Sequence, residues 1–179
     1  MINWIELAAR CEAAGLPPVV YAHIAKDGEA FVSGLVRGLL ASQRPDKLLF
    51  DGMVPEVIRW EPEFPVPRGR VDYVVFHIDG SVTVCEVKDG RRGLQNVLAG
   101  IGQVLSYAAQ VGMARAGFRE IRKALIFSSL SLLTEDALVI ESCEMAGVIP
   151  VPIGKESKHR EAAAAFLNGL LGNDGTKES

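Results

Sequence analysis

The stretch that most constrains this chain runs from Gly69 to Lys88. Val71-Asp72-Tyr73-Val74-Val75-Phe76 and Val82-Thr83-Val84-Cys85-Glu86-Val87 are rich in β-branched and aromatic residues, the composition of strands. Asp79-Gly80 between them is a strong hairpin-turn signal. The loop length then decides which side chains meet. A two-residue Asp79-Gly80 loop pairs Asp72 with Val87 and sends Asp72 and Glu86 to opposite faces, because strand faces alternate with period two. A three-residue Ile78-Asp79-Gly80 loop, with Gly80 left-handed, pairs His77 with Ser81 and Asp72 with Glu86, with Lys88 next along that face. Directly opposed like charges destabilise a sheet, so the second register makes sense only if something positive sits between the two carboxylates.

The remainder of the chain sets the frame for that hairpin. At 179 residues the simplest reading is one domain with a substantial core. It is placed at residues 1–171, with a helical lead-in over 1–25 and a disordered tail over 172–179. A formal net charge of −3 excludes a generally basic nucleic-acid coat, so any such contact is a local patch. Cys11, Cys85 and Cys143 are far apart and in no metal-ligand spacing; they read as reduced and buried. Neither a signal-like N-terminus nor an apolar run long enough to span a bilayer stands out, which points to a cytoplasmic protein without membrane partners.

In chain order, Asn3 reads as the N-cap of a first helix that ends near Gly15. Val19 to Ile24 is ambiguous between strand and helix. A second helix starts near Asp27 and carries Phe31, Val32, Leu35, Val36, Leu39 and Leu40 as one apolar stripe. Gly34 and Gly38 lie four apart on it and suggest close packing of another element; Arg44-Pro45-Asp46 ends it. Residues 56 to 66 are extended, and Pro62, Pro65 and Pro67 confine them to a sheet edge or an irregular strand. After the hairpin, Leu94, Leu98, Ile101, Leu105 and Ala108 mark an amphipathic helix of about 16 residues. Lys123 to Ser128 is a short buried strand. Thr134 caps a helix closed by Gly147, Val148 to Ile153 is a last strand, and a final helix covers Lys158 to Leu171. Strands that alternate with helices after the hairpin imply an α/β fold, a mixed sheet with helices on both faces.

Asp72 and Glu86 are the first candidates for chemistry. Carboxylate oxygens facing each other suit a divalent cation such as Mg²⁺, which takes one or two carboxylates plus substrate phosphate oxygens. Lys88 beside them is placed to stabilise phosphate charge or to orient a water. The plainer alternative is a solvated salt-bridge cluster, since surface ion pairs are common and nearly neutral in energy. Gln103 and Tyr107, four apart, share a helix face beside the apolar stripe; alone they describe an ordinary boundary of a packed helix.

Taken in order, Gly69-x-x-Asp72, Glu86-x-Lys88 and Gln103-x-x-x-Tyr107 resemble the PD-(D/E)XK nuclease superfamily, and the last pair resembles the motif of its RecB-like branch. The resemblance covers residues 56 to 128 well and the flanks by element order only. It implies a restriction-endonuclease-like mixed β-sheet core and Mg²⁺- or Mn²⁺-dependent hydrolysis of DNA phosphodiester bonds. Carried over by position, Asp72 and Glu86 are metal ligands and Lys88 the catalytic lysine. Gln103 and Tyr107 organise the site or contact the strand. The Pro that names the superfamily is replaced by Val71. Family members often add an acid from the first core helix, for which Glu29 is the candidate, although an acid in a helix's first turn also simply favours the macrodipole. Glu63, on the preceding strand, is a weaker candidate. Arg68, Arg70, Arg91 and Arg92 flank the site and are candidates for phosphate contact, or else belong to solvated loops. His77 lies at the turn end and reads as structural or exposed.

The leading expectation is therefore a metal-dependent deoxyribonuclease in which Asp72 and Glu86 hold the ion and a metal-activated water attacks the phosphodiester. DNA is the expected partner, together with a recognition protein or further copies of the chain. The competing expectation is a catalytically silent module that keeps the fold to hold nucleic acid or a protein, which the net charge of −3 favours slightly. A resolvase of branched DNA would need a broad basic face that this sequence lacks.

Overall fold

In the computed structural model the described residues are 28–114, 117–128, 130 and 132–153. The first helix, residues 19–24, the last helix and the tail expected from sequence lie outside them.

Helix α1 (Gly28–Leu40) and a short turn of helix α2 (Pro45–Leu48) precede three strands, β1 (Val57–Val66), β2 (Gly69–His77) and β3 (Val82–Lys88). A 3₁₀ turn (Gly90–Arg92) leads into α3 (Leu94–Ala114). Then follow β4 (Ile121–Ser128), α4 (Leu133–Met145) and β5 (Ile149–Ile153). The sheet order is β1-β2-β3-β4-β5. The first three strands are antiparallel, and β3, β4 and β5 are parallel. The fold is thus α/β, a mixed sheet with helices on both faces: the crossover helices α3 and α4 lie on one face, and α1 covers the other, as buried parallel strands require.

Period-two alternation sorts the core. Val74, Phe76, Val82, Val84, Leu125 and Phe127 meet Val97, Val104 and Val111 of α3 and Val139 and Cys143 of α4. Tyr73, Val75, Cys85, Val87, Ala124, Ile126, Val151 and Ile153 meet Val32, Val36, Leu39 and Leu40 of α1 on the other side. Strand β3 is buried at all seven positions, as expected of a strand at the centre of a sheet covered on both faces. The Tyr73 hydroxyl donates to the Ser33 carbonyl at 3.0 Å and lies 2.7 Å from the Ser33 hydroxyl. This contact ties α1 to β2 and satisfies the one polar atom that Tyr73 buries.

The hairpin takes the three-residue loop. Tyr73 pairs with Cys85, Val75 with Thr83 and Phe76 with Val82. His77 N–H donates to the Ser81 carbonyl, and Gly80 N–H donates to the His77 carbonyl. Gly80 has φ +79, the left-handed geometry this loop needs. Asp79 fixes the turn, accepting from Ser81 N–H at 3.0 Å and from its hydroxyl at 2.5 Å.

Several expectations need correction. Helix α3 is 21 residues, longer than its apolar spacing suggested: Ala109, Gln110, Met113 and Ala114 are good helix formers, and Val111 still reaches the core. By length and composition α3 is also apolar enough to cross a membrane, a run the sequence reading passed over. Here it lies on the sheet through Val97, Gly100, Val104, Ala108 and Val111. Gly34 meets nothing within 4 Å, so no element packs closely on it; Gly100 of α3 does that instead. Thr134 lies inside the first turn of α4, whose N-cap position is Leu132 with no side-chain cap; Asp136 instead accepts from Leu130 N–H at 2.8 Å. The chain does turn out of α1 after Leu40, but Pro45 opens α2, the position where a missing N–H does no harm.

Among the described residues β1 and β5 are the sheet edges, and both carry prolines: Pro62 and Pro65 in β1, Pro150 and Pro152 in β5. Glu63, between Pro62 and Phe64, has φ +50. That left-handed geometry is uncommon for a residue with a side chain, yet the β1–β2 register continues through it, with Pro62 opposite Tyr73 and Phe64 opposite Val71; the register shift of β1 lies between Val57 and Arg59.

Candidate functional site

The β2–β3 ladder stops at Tyr73–Cys85. In the same register the next opposed residues are Asp72 and Glu86, so the pairing expected from the three-residue loop is present. The Val87 N–H, next along β3, donates to Asp72 Oδ2 at 2.7 Å. The aspartate side chain stands in for a strand partner and sits where the two strands part.

Alternation with Val74 and Val84 puts Asp72, Glu86 and Lys88 on the α3 face of the sheet. Glu86 and Lys88 are only 4% and 7% exposed. Lys88 Nζ donates to Glu86 Oε1 at 2.6 Å. The positive group demanded by two facing carboxylates is thus supplied in part by the chain itself. The solvated-cluster alternative does not describe Glu86 and Lys88: both are buried. A buried ion pair gives little net stability, because desolvation offsets the attraction.

Helix α3 closes over the pair. A Cβ on Gly100 would stand 3.0 Å from Lys88 Cγ, 3.3 Å from its Cε and 2.6 Å from Leu125 Cδ1. Only glycine lets the helix lie this close to the lysine stem, and the sequence reading missed it. One turn on, Gln103 is exposed at the rim. Tyr107 is half-buried and packs on Gly69, where a Cβ would meet its hydroxyl at 3.1 Å; Gly69 itself has φ +128, open only to glycine in practice. Burial raises the Tyr107 pKa, and the nearby carboxylates of Glu86 and Asp72 raise it further, against the opposing charge of Lys88. Tyr107 therefore stays a neutral hydroxyl facing the acids. Gln110, a further turn along and also missed, accepts from Arg68 N–H at 2.7 Å through its Oε1 and anchors the β1–β2 turn to α3.

The C-terminal ends of β3 and β4 hold a second polar group. Asp89 is buried and its pKa lies below the usual carboxylate range: burial raises it, but hydrogen bonds from Arg91, the Arg91 charge and the Ser128 hydroxyl together lower it. Ser128 Oγ donates to Asp89 Oδ1 at 3.1 Å and accepts from Gly90 N–H at 2.8 Å. Asn96 reaches the Asp89 carbonyl. Asp-Gly after a strand signals only a turn in sequence, so this network was not foreseen.

The remaining candidates scatter. Arg68, Arg70, Arg91 and Arg92 are exposed at the Asp72–Lys88 end of the sheet. Glu63 is exposed. Glu29 falls in the first turn of α1, on the helix covering the other face; its side chain lies outside the described residues. His77 is structural and buried rather than exposed: Nδ1–H donates to the Pro55 carbonyl at 2.9 Å and Nε2 accepts from the Thr83 hydroxyl at 2.7 Å. Cys85 and Cys143 are free and buried; burial raises both thiol pKa values, that of Cys143 to about 11. Cys11 lies outside the described residues.

No protein-family model matches the chain, and no curated protein matches it. Two solved structures are similar to part of it. The crystal structure of a repair endonuclease from Pyrococcus abyssi is 20% identical with a TM-score of 0.37, over 54% of this chain and 38% of that one. The structure of an EndoMS–dsDNA2 complex is 14% identical with a TM-score of 0.39, over 62% and 40%. The chain spans about two fifths of the length of either.

Proposed function

We propose that this chain is a metal-dependent nuclease of the PD-(D/E)XK type that hydrolyses DNA phosphodiester bonds. The observation that carries the reading is the parted end of the β2–β3 hairpin. There Asp72 stands opposite Glu86, and the buried Lys88 ammonium lies 2.6 Å from Glu86.

The donor set fits Mg²⁺ or Mn²⁺. Both donors are hard carboxylate oxygens, and among the described residues no cluster of three or more His, Cys, Asp or Glu could hold a metal. That sparse set suits an ion that keeps waters and shares phosphate oxygens rather than one that demands a full protein cage. When bound by Asp72 and Glu86, such an ion supplies an activated water and neutralises charge on the phosphate. The chain's own groups do the rest. Lys88 holds Glu86 in place in the resting state and offers its ammonium to the phosphate oxygens that gain charge. Asp72 is aimed by the Val87 N–H. Tyr107, kept neutral, donates from the α3 side, and Gln103 lies exposed beside it to meet the nucleic acid. Arg68, Arg70, Arg91 and Arg92 line the approach.

The test is a digestion panel on single-stranded, duplex and branched DNA and on RNA, with and without Mg²⁺ or Mn²⁺. Metal-dependent cleavage of DNA that Asp72→Ala removes is expected; equal activity in that variant sinks the site. The silent-module reading draws support from the engagement of Glu86 by Lys88, a contact that could persist without any ion. Calorimetry with Mn²⁺ separates the two, since a module shows no saturable binding at millimolar metal.

A further inference from the structure

Arg91 lies exposed at the mouth of the site, just past Lys88. The Arg91 backbone N–H donates to Asp89 Oδ1 at 3.1 Å, and its side-chain Nε lies 3.1 and 3.3 Å from the two Asp89 oxygens. Asp89 is itself immobilised. It is 3% exposed, caps the 3₁₀ turn, and accepts from the Ser128 hydroxyl at the end of β4. The Arg91 side chain is nonetheless 65% exposed. Its side-chain hydrogen bonds to Asp89 run through the inner nitrogen Nε rather than through the two terminal amino groups. Arg91 follows Lys88 by three positions, at the carboxyl ends of the parallel strands β3 and β4, where open α/β sheets place their ligands.

An exposed arginine ordinarily loses rotamer freedom when it grips a ligand, and that loss weakens binding. Here the inner half of the guanidinium is fixed before any ligand arrives, and the outer edge still matches two oxygens of a phosphate. We propose that Asp89, acting with Ser128, is a positioning residue that presets Arg91 as a clamp on a backbone phosphate of the bound DNA strand, next to the phosphate at Lys88. This rests on the nuclease reading above and names the residue pair that seats its substrate. It also gives an acid the opposite of its usual effect: a buried carboxylate that strengthens binding to a polyanion.

The test is binding of a short duplex, in EDTA so that cleavage is off, across a salt series. Arg91→Ala should weaken binding about fivefold to tenfold and lower the magnitude of the salt slope by about one. Asp89→Asn removes a negative charge, so electrostatics alone predicts tighter binding; the clamp predicts weaker binding, by about threefold to fivefold. In an Arg91→Ala background Asp89→Asn should have no further effect. Melting curves check that each variant is folded, and Arg91→Ala, altering an exposed side chain, keeps the test open if Asp89→Asn is not. Tighter or unchanged binding by folded Asp89→Asn, or an unaltered salt slope in Arg91→Ala, overturns the clamp and leaves the nuclease reading intact. Absence of wild-type binding even at low salt overturns the clamp, while the metal-dependent digestion panel decides the nuclease reading separately.

Discussion

The two ends of the β2–β3 hairpin both bury polar side chains, and they use them differently. At the turn, His77 is spent on Pro55 and Thr83, and Asp79 on Ser81, with Arg119 and Arg122 within 3.8 and 3.9 Å of its carboxylate. Each group there answers a local need, closing a loop or satisfying a buried ring. At the parted end two acids face each other, and the chain places a lysine against one and a backbone N–H against the other. The turn end contributes to stability. The parted end holds like charges that sheet formation alone disfavours. Burial of polar groups is common to both, so it does not mark a site; unfavourable juxtaposition does.

The largest expected effect separates the ends by charge. Lys88→Met alone leaves Glu86 buried without its cation and should cost about 3 to 5 kcal/mol. Lys88→Met combined with Glu86→Gln removes both charges and should melt near wild type, while cleavage falls by roughly a hundredfold to a thousandfold or more. A double variant that melts normally and still cuts DNA would place the chemistry elsewhere. Gly100→Val comes next: crowding Lys88 and Leu125 should destabilise the fold by about 1 to 3 kcal/mol and lower cleavage in the fraction that remains folded.

The turn end should show the converse. His77→Ala leaves the Pro55 carbonyl and Thr83 hydroxyl without their partner and should cost about 1 to 3 kcal/mol, with cleavage per folded molecule unchanged. Burial holds the His77 pKa below its ordinary 6.5. The unfolded chain therefore takes up this proton first. The histidine's contribution to stability is complete above about pH 6.5 and is lost as pH falls from there toward the folded pKa. Melting curves between pH 7.5 and 5 should fall more steeply for wild type than for the variant, and an equal slope in both would return His77 to an exposed role. The smallest effect is expected from Gln103→Ala. A severalfold rise in KM with kcat nearly intact, seen in steady-state cleavage, is the signature of a contact that binds substrate and transition state alike.

Much of this was legible before any coordinates. The sequence left two hairpin loops open and showed that only Ile78-Asp79-Gly80 sets Asp72 across from Glu86; the structure takes that loop. The mixed sheet followed from strands that first meet directly and then alternate with helices. The parts that were not legible depend on contacts distant in sequence. Gly100 is an ordinary helix glycine until Lys88 and Leu125 are seen beneath it. Gln110 reaches Arg68 across 42 positions, and Ser128 meets Asp89 across 39. Thr134 misled because the helix begins one residue before it, at Leu133 with Leu132 in the cap position, while Asp136 reaches back to the Leu130 N–H ahead of the helix. Gly34 misled because a glycine on a helix fits an exposed surface as well as a packed one; Gly38, four residues on, is buried.

The edge prolines bear on how copies of this protein can meet. Pro150 and Pro152 fall on the same side of β5, since alternate residues of a strand direct their backbone groups alike, while β5 keeps its pairing with β4. The open side therefore offers acceptors with the matching donors deleted. Pro62 and Pro65, three apart on β1, fall on opposite sides by the same alternation, so only one of them removes a donor from that strand's open side. An incoming strand from a second copy would find the donors of Pro150 and Pro152 missing along β5. Fibril seeding and strand exchange through the open side of β5 are thereby disfavoured. Among the described residues, the side chains of helices and loops are left as the better surface for self-association.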